Sequence, residues 1–142
     1  MFAKQLTVFI ENRAGRLSDV LGVLKDNNVN IISMSLADTT EFGLLRLIVS
    51  DAALGKEKLT ESGFSSLISD VSIIAIPHRA GCLQELLEVI DASGVNIEYM
   101  YGLSVESDTG YVVLKASDAD KIDKILSDTG IRTLDNSELI HI

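Results

Sequence analysis

Short apolar runs and helical stripes alternate along this chain in an order that occurs twice. Leu6 to Ile10 and Val71 to Ile76 are runs of strand length, each followed by a glycine-containing turn. After Gly15, Leu17, Val20, Leu21 and Leu24 recur at i, i+3, i+4 and i+7, one apolar stripe of a helix. Leu83, Leu86, Leu87 and Ile90 repeat that stripe after Gly81. Asn27-Asn28 and Ser93-Gly94 are the stops, because Asn and Gly tolerate the left-handed backbone that ends helices. Val29 to Leu36 and Leu44 to Val49 then read as strands, as do Val95 to Val105 and Tyr111 to Lys115. The connections Asp38 to Gly43 and Glu106 to Gly110 have the polar, glycine-containing character of hairpin turns. Second helices are expected over about Ala52 to Ser62 and after Ser117, where Ser117 and Asp120 form a capping-box-like start before Ile122, Ile125 and Leu126. A closing strand is expected over Ser137 to Ile142.

The periodicity reflects an internal duplication. Arg13-Ala14-Gly15 returns as Arg79-Ala80-Gly81, and Val29-Asn30-Ile31 returns as Val95-Asn96-Ile97, both displaced by 66 positions. Ten of the 22 positions between 13 and 34 are identical at that offset. Further on the offset becomes 67, matching Leu47, Ser50, Asp51 and Ala52 to Leu114, Ser117, Asp118 and Ala119, so one residue is inserted between strands of the second copy. Each copy reads β-α-β-β-α-β. That places two helices on one face of a four-stranded antiparallel sheet, the ferredoxin-like arrangement of the α+β class. The expected domains are 1–70 and 71–142. Val71 to Ile76 aligns with the closing strand as well as opening copy two, so either Ser65 to Ser69 is a short fourth strand, or the central strand is shared and the C-terminal strand exchanged between copies.

Composition narrows the function classes. The 142 residues carry 12 Lys and Arg against 21 Asp and Glu, a formal charge of −9, which repels phosphate backbones and disfavours nucleic acid as a partner. With 46% hydrophobic and 23% charged residues the chain is no disordered tail. The lone Cys82 makes neither an internal disulfide nor a multi-thiolate metal site. No metal and no cofactor are expected. No apolar run approaches the ~20 residues that span a bilayer. Met1 to Leu6 lacks a signal pattern, so a cytoplasmic protein without a membrane partner is expected. Modules of roughly 65 to 70 residues are marginal alone, so the copies, and a second chain, are expected to pack together as a homodimer.

The chemistry concentrates in Asn12-Arg13-Ala14-Gly15-Arg16-Leu17 and His78-Arg79-Ala80-Gly81-Cys82-Leu83, each between a strand and the first helix of its copy. A helix start offers free N–H groups and a positive dipole end that suit a carboxylate. Asn30-Ile31 and Asn96-Ile97 open the next strand, 18 residues after Asn12 and His78. A carboxamide can grip an ammonium, a carboxylate or a neighbour's loop. His78 has no nucleophile and orienting carboxylate beside it in the pattern, so general-base catalysis is not expected. Tyr99, Met100 and Tyr101, with Met34, are candidates to line an apolar pocket. His141 reads as a structural residue of the closing strand.

The sequence N-R-x-G-x-L, a helix, V-N-I, a turn and G-Y-V-V-L resembles the ACT domain, a small-molecule regulatory module of amino-acid metabolism. Asn12 to Gly15 with Asn30-Ile31 resembles the regulatory end of D-3-phosphoglycerate dehydrogenase, which binds serine, and Gly94 to Tyr101 resembles stand-alone tandem ACT proteins. Ile10 and Ile76 stand where the dehydrogenase-like pattern has a histidine, and Ala14 and Ala80 where the family has a loop proline. The resemblance implies a non-catalytic regulatory protein. It implies an amino acid or related metabolite held where one module's loop faces a neighbour's second strand, by Asn12, Asn30, His78 and Asn96. It further implies an amino-acid-metabolism enzyme as partner. The competing classes are an acylphosphatase-like hydrolase, using Arg13 with Asn30, and a ligand-free dimerisation module.

Overall fold

Alternation along the strands decides which residues face the helices, and the helices then complete two separate cores. The computed structural model describes residues 2–38 and 41–139. The chain forms two compact units, one spanning Lys4–Ser69 and the other running from Asp70 and including Ala3, the first residue of β1. In the N-terminal unit the order is β1 (Ala3–Glu11), α1 (Arg16–Asp26), β2 (Ile31–Asp38), β3 (Phe42–Val49), α2 (Ala52–Glu61) and the start of β4 (Ser65–Pro77). The strands lie in the order β2-β3-β1-β4. β1 pairs antiparallel with β3 from Leu6↔Leu47 to Glu11↔Phe42. Leu6, Val8 and Ile10 of β1 and Leu45, Leu47 and Val49 of β3 thus share one face, where they pack with Val20 and Leu24 of α1 and Leu59 of α2. Each fully buried leucine contributes about 1.5–3 kcal/mol. Helix α2 lacks a regular apolar stripe because it seats on the sheet through Gly55, where a Cβ would come within 3.1 Å of Leu6 Cδ2.

The C-terminal unit repeats the plan with the rest of β4, then α3 (Cys82–Ala92), β5 (Ile97–Glu106), β6 (Thr109–Ala116), α4 (Ala119–Asp128), β7 (Arg132–Leu134) and the short α5 (Asn136–Leu139). Its strands lie in the order β5-β6-β4-β7. Ile74 and Ile76, Leu114 and Ala116, Leu86 and Ile90, and Ile122 and Leu126 form its core.

Of the two readings for the centre of the chain, the double-duty strand is the one found: Ser65 to Ser69 and Val71 to Ile76 are parts of one unbroken strand, β4, which pairs with β1 as well as with β6 and β7. Four other expectations change. The strand that closes the C-terminal unit is β7, paired antiparallel with β4 from Ile73↔Leu134 to Ala75↔Arg132, so it stays with its own copy. The expected strand over Ser137 to Ile142 is instead a helical turn through Leu139, and residues 140–142, His141 among them, lie outside the described residues. The cause is local. Asp135 Oδ1 accepts from the Glu138 N–H at 3.2 Å and from Ser137 Oγ, while Glu138 Oε1 accepts from the Asp135 N–H at 3.4 Å, a reciprocal capping box.

The third change concerns α4, whose cap is Asp118 rather than Ser117. Asp118 Oδ1 accepts from the Lys121 N–H at 3.0 Å, as Asp51 accepts from Leu54 N–H in copy one. Ser117 instead bridges to Asn96, donating its N–H to the Asn96 carbonyl at 2.8 Å and accepting the Asn96 N–H at 3.3 Å. Ser50 does the same with Asn30. The fourth is the inserted residue, which lies inside β5 rather than between strands. Gly102 pairs with Val112 and Ser104 with Tyr111, leaving Leu103 as a β-bulge.

Replacing Asp118 by Ala is expected to cost about 1 kcal/mol through the lost cap, and Ser117→Ala less, measured by urea denaturation. The hydrogen bond from Ser137, then that from the Glu138 N–H, hold the Asp135 carboxyl below its ordinary value. Its contribution is therefore present above the unfolded-state pKa and lost as pH falls through the lower folded one. An NMR titration of the carboxyl carbon should give a midpoint below that of a free aspartate, rising toward it in Ser137→Ala.

Candidate functional site

Gly15 and Gly81 adopt left-handed backbone, with φ of 87° and 88°, at the position just before α1 and α3. A side chain there would be strained, which accounts for the glycine in both copies. No side chain caps either helix, and the first amide of each, on Arg16 or Cys82, donates to the loop carbonyl of Arg13 or Arg79 at 3.4 and 3.3 Å. Beside each loop lies a cavity confined to its own unit, at corresponding positions of the repeat.

In the N-terminal unit the cavity is about 210 Å³, between Ile10, Asn12, Arg13 and Leu17 on one side and Leu36 and Gly43 of the β2–β3 hairpin on the other. Glu11 also lines it and holds Arg13 through an ion pair of 2.9 Å. In the C-terminal unit the cavity is about 440 Å³. Ile76, Pro77, His78, Arg79 and Leu83 form its loop side. Gly102 to Val105 and Gly110 to Val112 form its hairpin side. Arg79 makes no ion pair among the described residues, so its exposed guanidinium is available to an anion. His78 is anchored by its N–H to the Asp108 carbonyl at 2.6 Å, and Asn12 by its N–H to the Glu41 carbonyl at 3.2 Å. Neither Asn12 nor His78 spends its side chain in a hydrogen bond to the described residues.

The structure brings together Asn12, Arg13 and Leu17 in one unit, and His78, Arg79 and Leu83 in the other. Ala14, Gly15, Ala80 and Gly81 shape the loops without lining the cavities. Arg16 turns elsewhere: its guanidinium lies 4.4 Å from the Phe64 ring centre and reaches Asp19 at 3.3 Å. Cys82 is buried and lines a different cavity, with Leu86 and Ile131. Asn30 and Asn96 are not beside the loop of their own unit. Each precedes the cavity-lining residue of its strand, Leu36 or Gly102, by six positions, or roughly 20 Å. Arg13 and Asn30 therefore cannot converge on one phosphate within a unit, which removes the geometry that a hydrolase reading needs. Ile31 and Ile97 pack against the two cores.

Tyr99, Met100, Tyr101 and Met34 line neither loop cavity. The rings of Tyr99 and Tyr101 stack at 6.4 Å, Met100 packs on the core, and Met34 is partly exposed. The hairpin residues Leu36, Gly43, Gly102 and Gly110 are cavity residues that motif reading did not assign. Their signal was the glycine pair 43 and 110, matched at the 67 offset. Among the described residues no group of three or more His, Cys, Asp or Glu is placed to hold a metal, and no helix is long and apolar enough to cross a membrane.

Comparison with known proteins places this geometry in a family. The chain is 37% identical to protein BT0572 from Bacteroides thetaiotaomicron, with a TM-score of 0.93, covering 100% of this chain and 98% of that one. It is 29% identical over 134 residues to the acetolactate synthase isozyme 3 small subunit of Salmonella typhimurium strain LT2, 86% of this chain and 81% of that protein. The ligand-free regulatory subunit of aspartate kinase from Thermus thermophilus shares the fold at 14% identity, with a TM-score of 0.63 and coverage of 88% and 91%. The family model described as an ACT domain pair matches residues 1–142 from end to end. With two β-α-β-β-α-β units and a full-length match, the chain belongs to the ACT domain pair family.

Proposed function

We propose that the protein is a non-catalytic regulatory protein that binds an amino acid or related carboxylate metabolite beside the loops at residues 12–17 and 78–83. The observation that carries this reading is the pair of loop cavities at corresponding places in two ACT units, each beside a helix start without a side-chain cap. Amides at a helix N-terminus attract a carboxylate, and an arginine beside them adds a charge-assisted hydrogen bond. A similar protein is named as the small subunit of acetolactate synthase isozyme 3, which supports a role beside an enzyme.

The exposed carboxamides of Asn30 and Asn96 are too far from their own loops to close the site, so a neighbouring module supplies them. A homodimer provides such a neighbour. Ligand held across that seam favours one packing arrangement, and a partner enzyme reads the shifted population.

Thermal-shift screening of the purified chain against the amino acids and their 2-oxo acids tests this. At about 100 Kd a ligand stabilises the fold by about 2.7 kcal/mol, a Tm rise of several degrees. Asn12→Ala or His78→Ala is expected to weaken binding about ten-fold at its own loop. Asn96→Ala is expected to do so despite its distance from the cavity of its unit, and an unchanged affinity there would confine the site to single modules. Turnover of an acyl phosphate by the purified protein would contradict the non-catalytic reading.

A further inference from the structure

The two loop cavities have diverged, and the divergence falls on three corresponding residues. Leu36 of β2 matches Gly102 of β5, Glu11 matches Pro77, and Asn12 matches His78. In the N-terminal unit Leu36 reaches across the hairpin, its Cδ1 only 3.3 Å from where Gly43 would carry a Cβ. In the C-terminal unit nothing lies within 4 Å of a Cβ built at Gly102, and the neighbour over Gly110 is His78 Nδ1 at 3.8 Å. The Leu103 bulge adds a residue to the rim there. Loss of the leucine side chain and this extra residue account for the larger volume, about 440 against 210 Å³.

Charge has changed with shape. Arg13 is held by Glu11 in one copy, whereas Pro77 removes that carboxylate in the other and no acidic residue lines the larger cavity. Its walls are Ile76, Leu83, Leu103, Val105 and Val112, with Arg79 and His78 at the loop. Ser104 lies on the same wall.

We propose that the C-terminal cavity takes a carboxylate bearing a large apolar group, an aromatic or branched amino acid or its 2-oxo acid, while Leu36 closes the N-terminal cavity to such ligands. This rests on the regulatory-binding reading above and names the ligand class of one of its two loops. Arg79 meets the carboxylate, the aliphatic wall takes the side chain, and Gly102 provides the room. An amino acid and its 2-oxo acid share this chemistry and differ in the ammonium, for which the cavity itself offers no carboxylate.

Titration calorimetry of the full chain with L-phenylalanine, 2-oxo-3-phenylpropanoate, glycine and glyoxylate tests it. One bulky probe is expected to bind about ten-fold or more tighter than its small counterpart. Tighter binding of the 2-oxo acid identifies the ammonium-free form as the ligand, and tighter binding of phenylalanine identifies the zwitterion. Gly102→Leu, which restores the residue of copy one, is expected to weaken the bulky probe at least about ten-fold, while Lys56→Gln, at an exposed position of α2 outside both cavities, leaves it within about two-fold. Arg79→Gln, at an exposed position, is expected to weaken both bulky and small probes and keep their order. Equal affinity for bulky and small probes, or indifference to Gly102→Leu in a folded variant, overturns this inference alone. Silence of all four probes, when thermal-shift screening finds another ligand, also overturns it alone. Silence in both assays overturns the binding reading itself.

Discussion

A left-handed residue between a strand and a helix is the constraint on which the rest of this molecule turns. At Gly15 and Gly81 the chain leaves a strand that is buried on its helix side and enters a helix packed back over the same sheet. The reversal has to be tight, and a positive φ makes it so without an added side chain. Two consequences follow together. The helix begins without a side-chain cap, and a hollow is left between the loop and the neighbouring hairpin. Packing of the cores at Leu6, Val8 and Ile10, and at Ile74 and Ile76, fixes where that hollow opens.

Much of this was legible along the chain. The period-two runs and the i, i+3, i+4, i+7 stripes placed the strands and first helices, and the 66-residue displacement showed that one module occurs twice. The loops at Asn12 to Leu17 and His78 to Leu83 were identified from their position between the two periodicities. What escaped has physical causes. Gly55 leaves α2 without a stripe because contact is made through a missing side chain. At the C-terminal end, Asp135 and Glu138 cap each other and turn a β-like run into a helical turn. The apolar pattern there carried no trace of this, since the competition was between hydrogen bonds.

Cavity-lining residues on the hairpins were harder still. Leu36 and Gly102 meet the loops only through the antiparallel register, which places Leu36 opposite Leu45 and Gly102 opposite Val112. Spacing along the chain does not reveal that meeting. The change of offset from 66 to 67 did announce an extra residue, and the register resolves it as the Leu103 bulge on the cavity wall. The repeated asparagines show the converse. Asn30 and Asn96 were singled out for their side chains, yet within their units it is their main-chain groups that bond Ser50 and Ser117. Those bonds account for the repeated Ser, whose Oγ accepts one of them, and leave the exposed carboxamides unused.

The functional account makes the duplicated turn a place where a ligand carboxylate meets main-chain amides and an arginine, with selectivity set by the hairpin opposite. Its most direct test is residue-resolved: NMR spectra of the isotopically labelled chain, recorded while a ligand that raises the melting temperature is titrated in. The account predicts that the largest amide shifts fall on Arg79 to Leu83 and on Gly102 to Val105. Saturable shifts centred elsewhere, with those two segments unmoved, would contradict it.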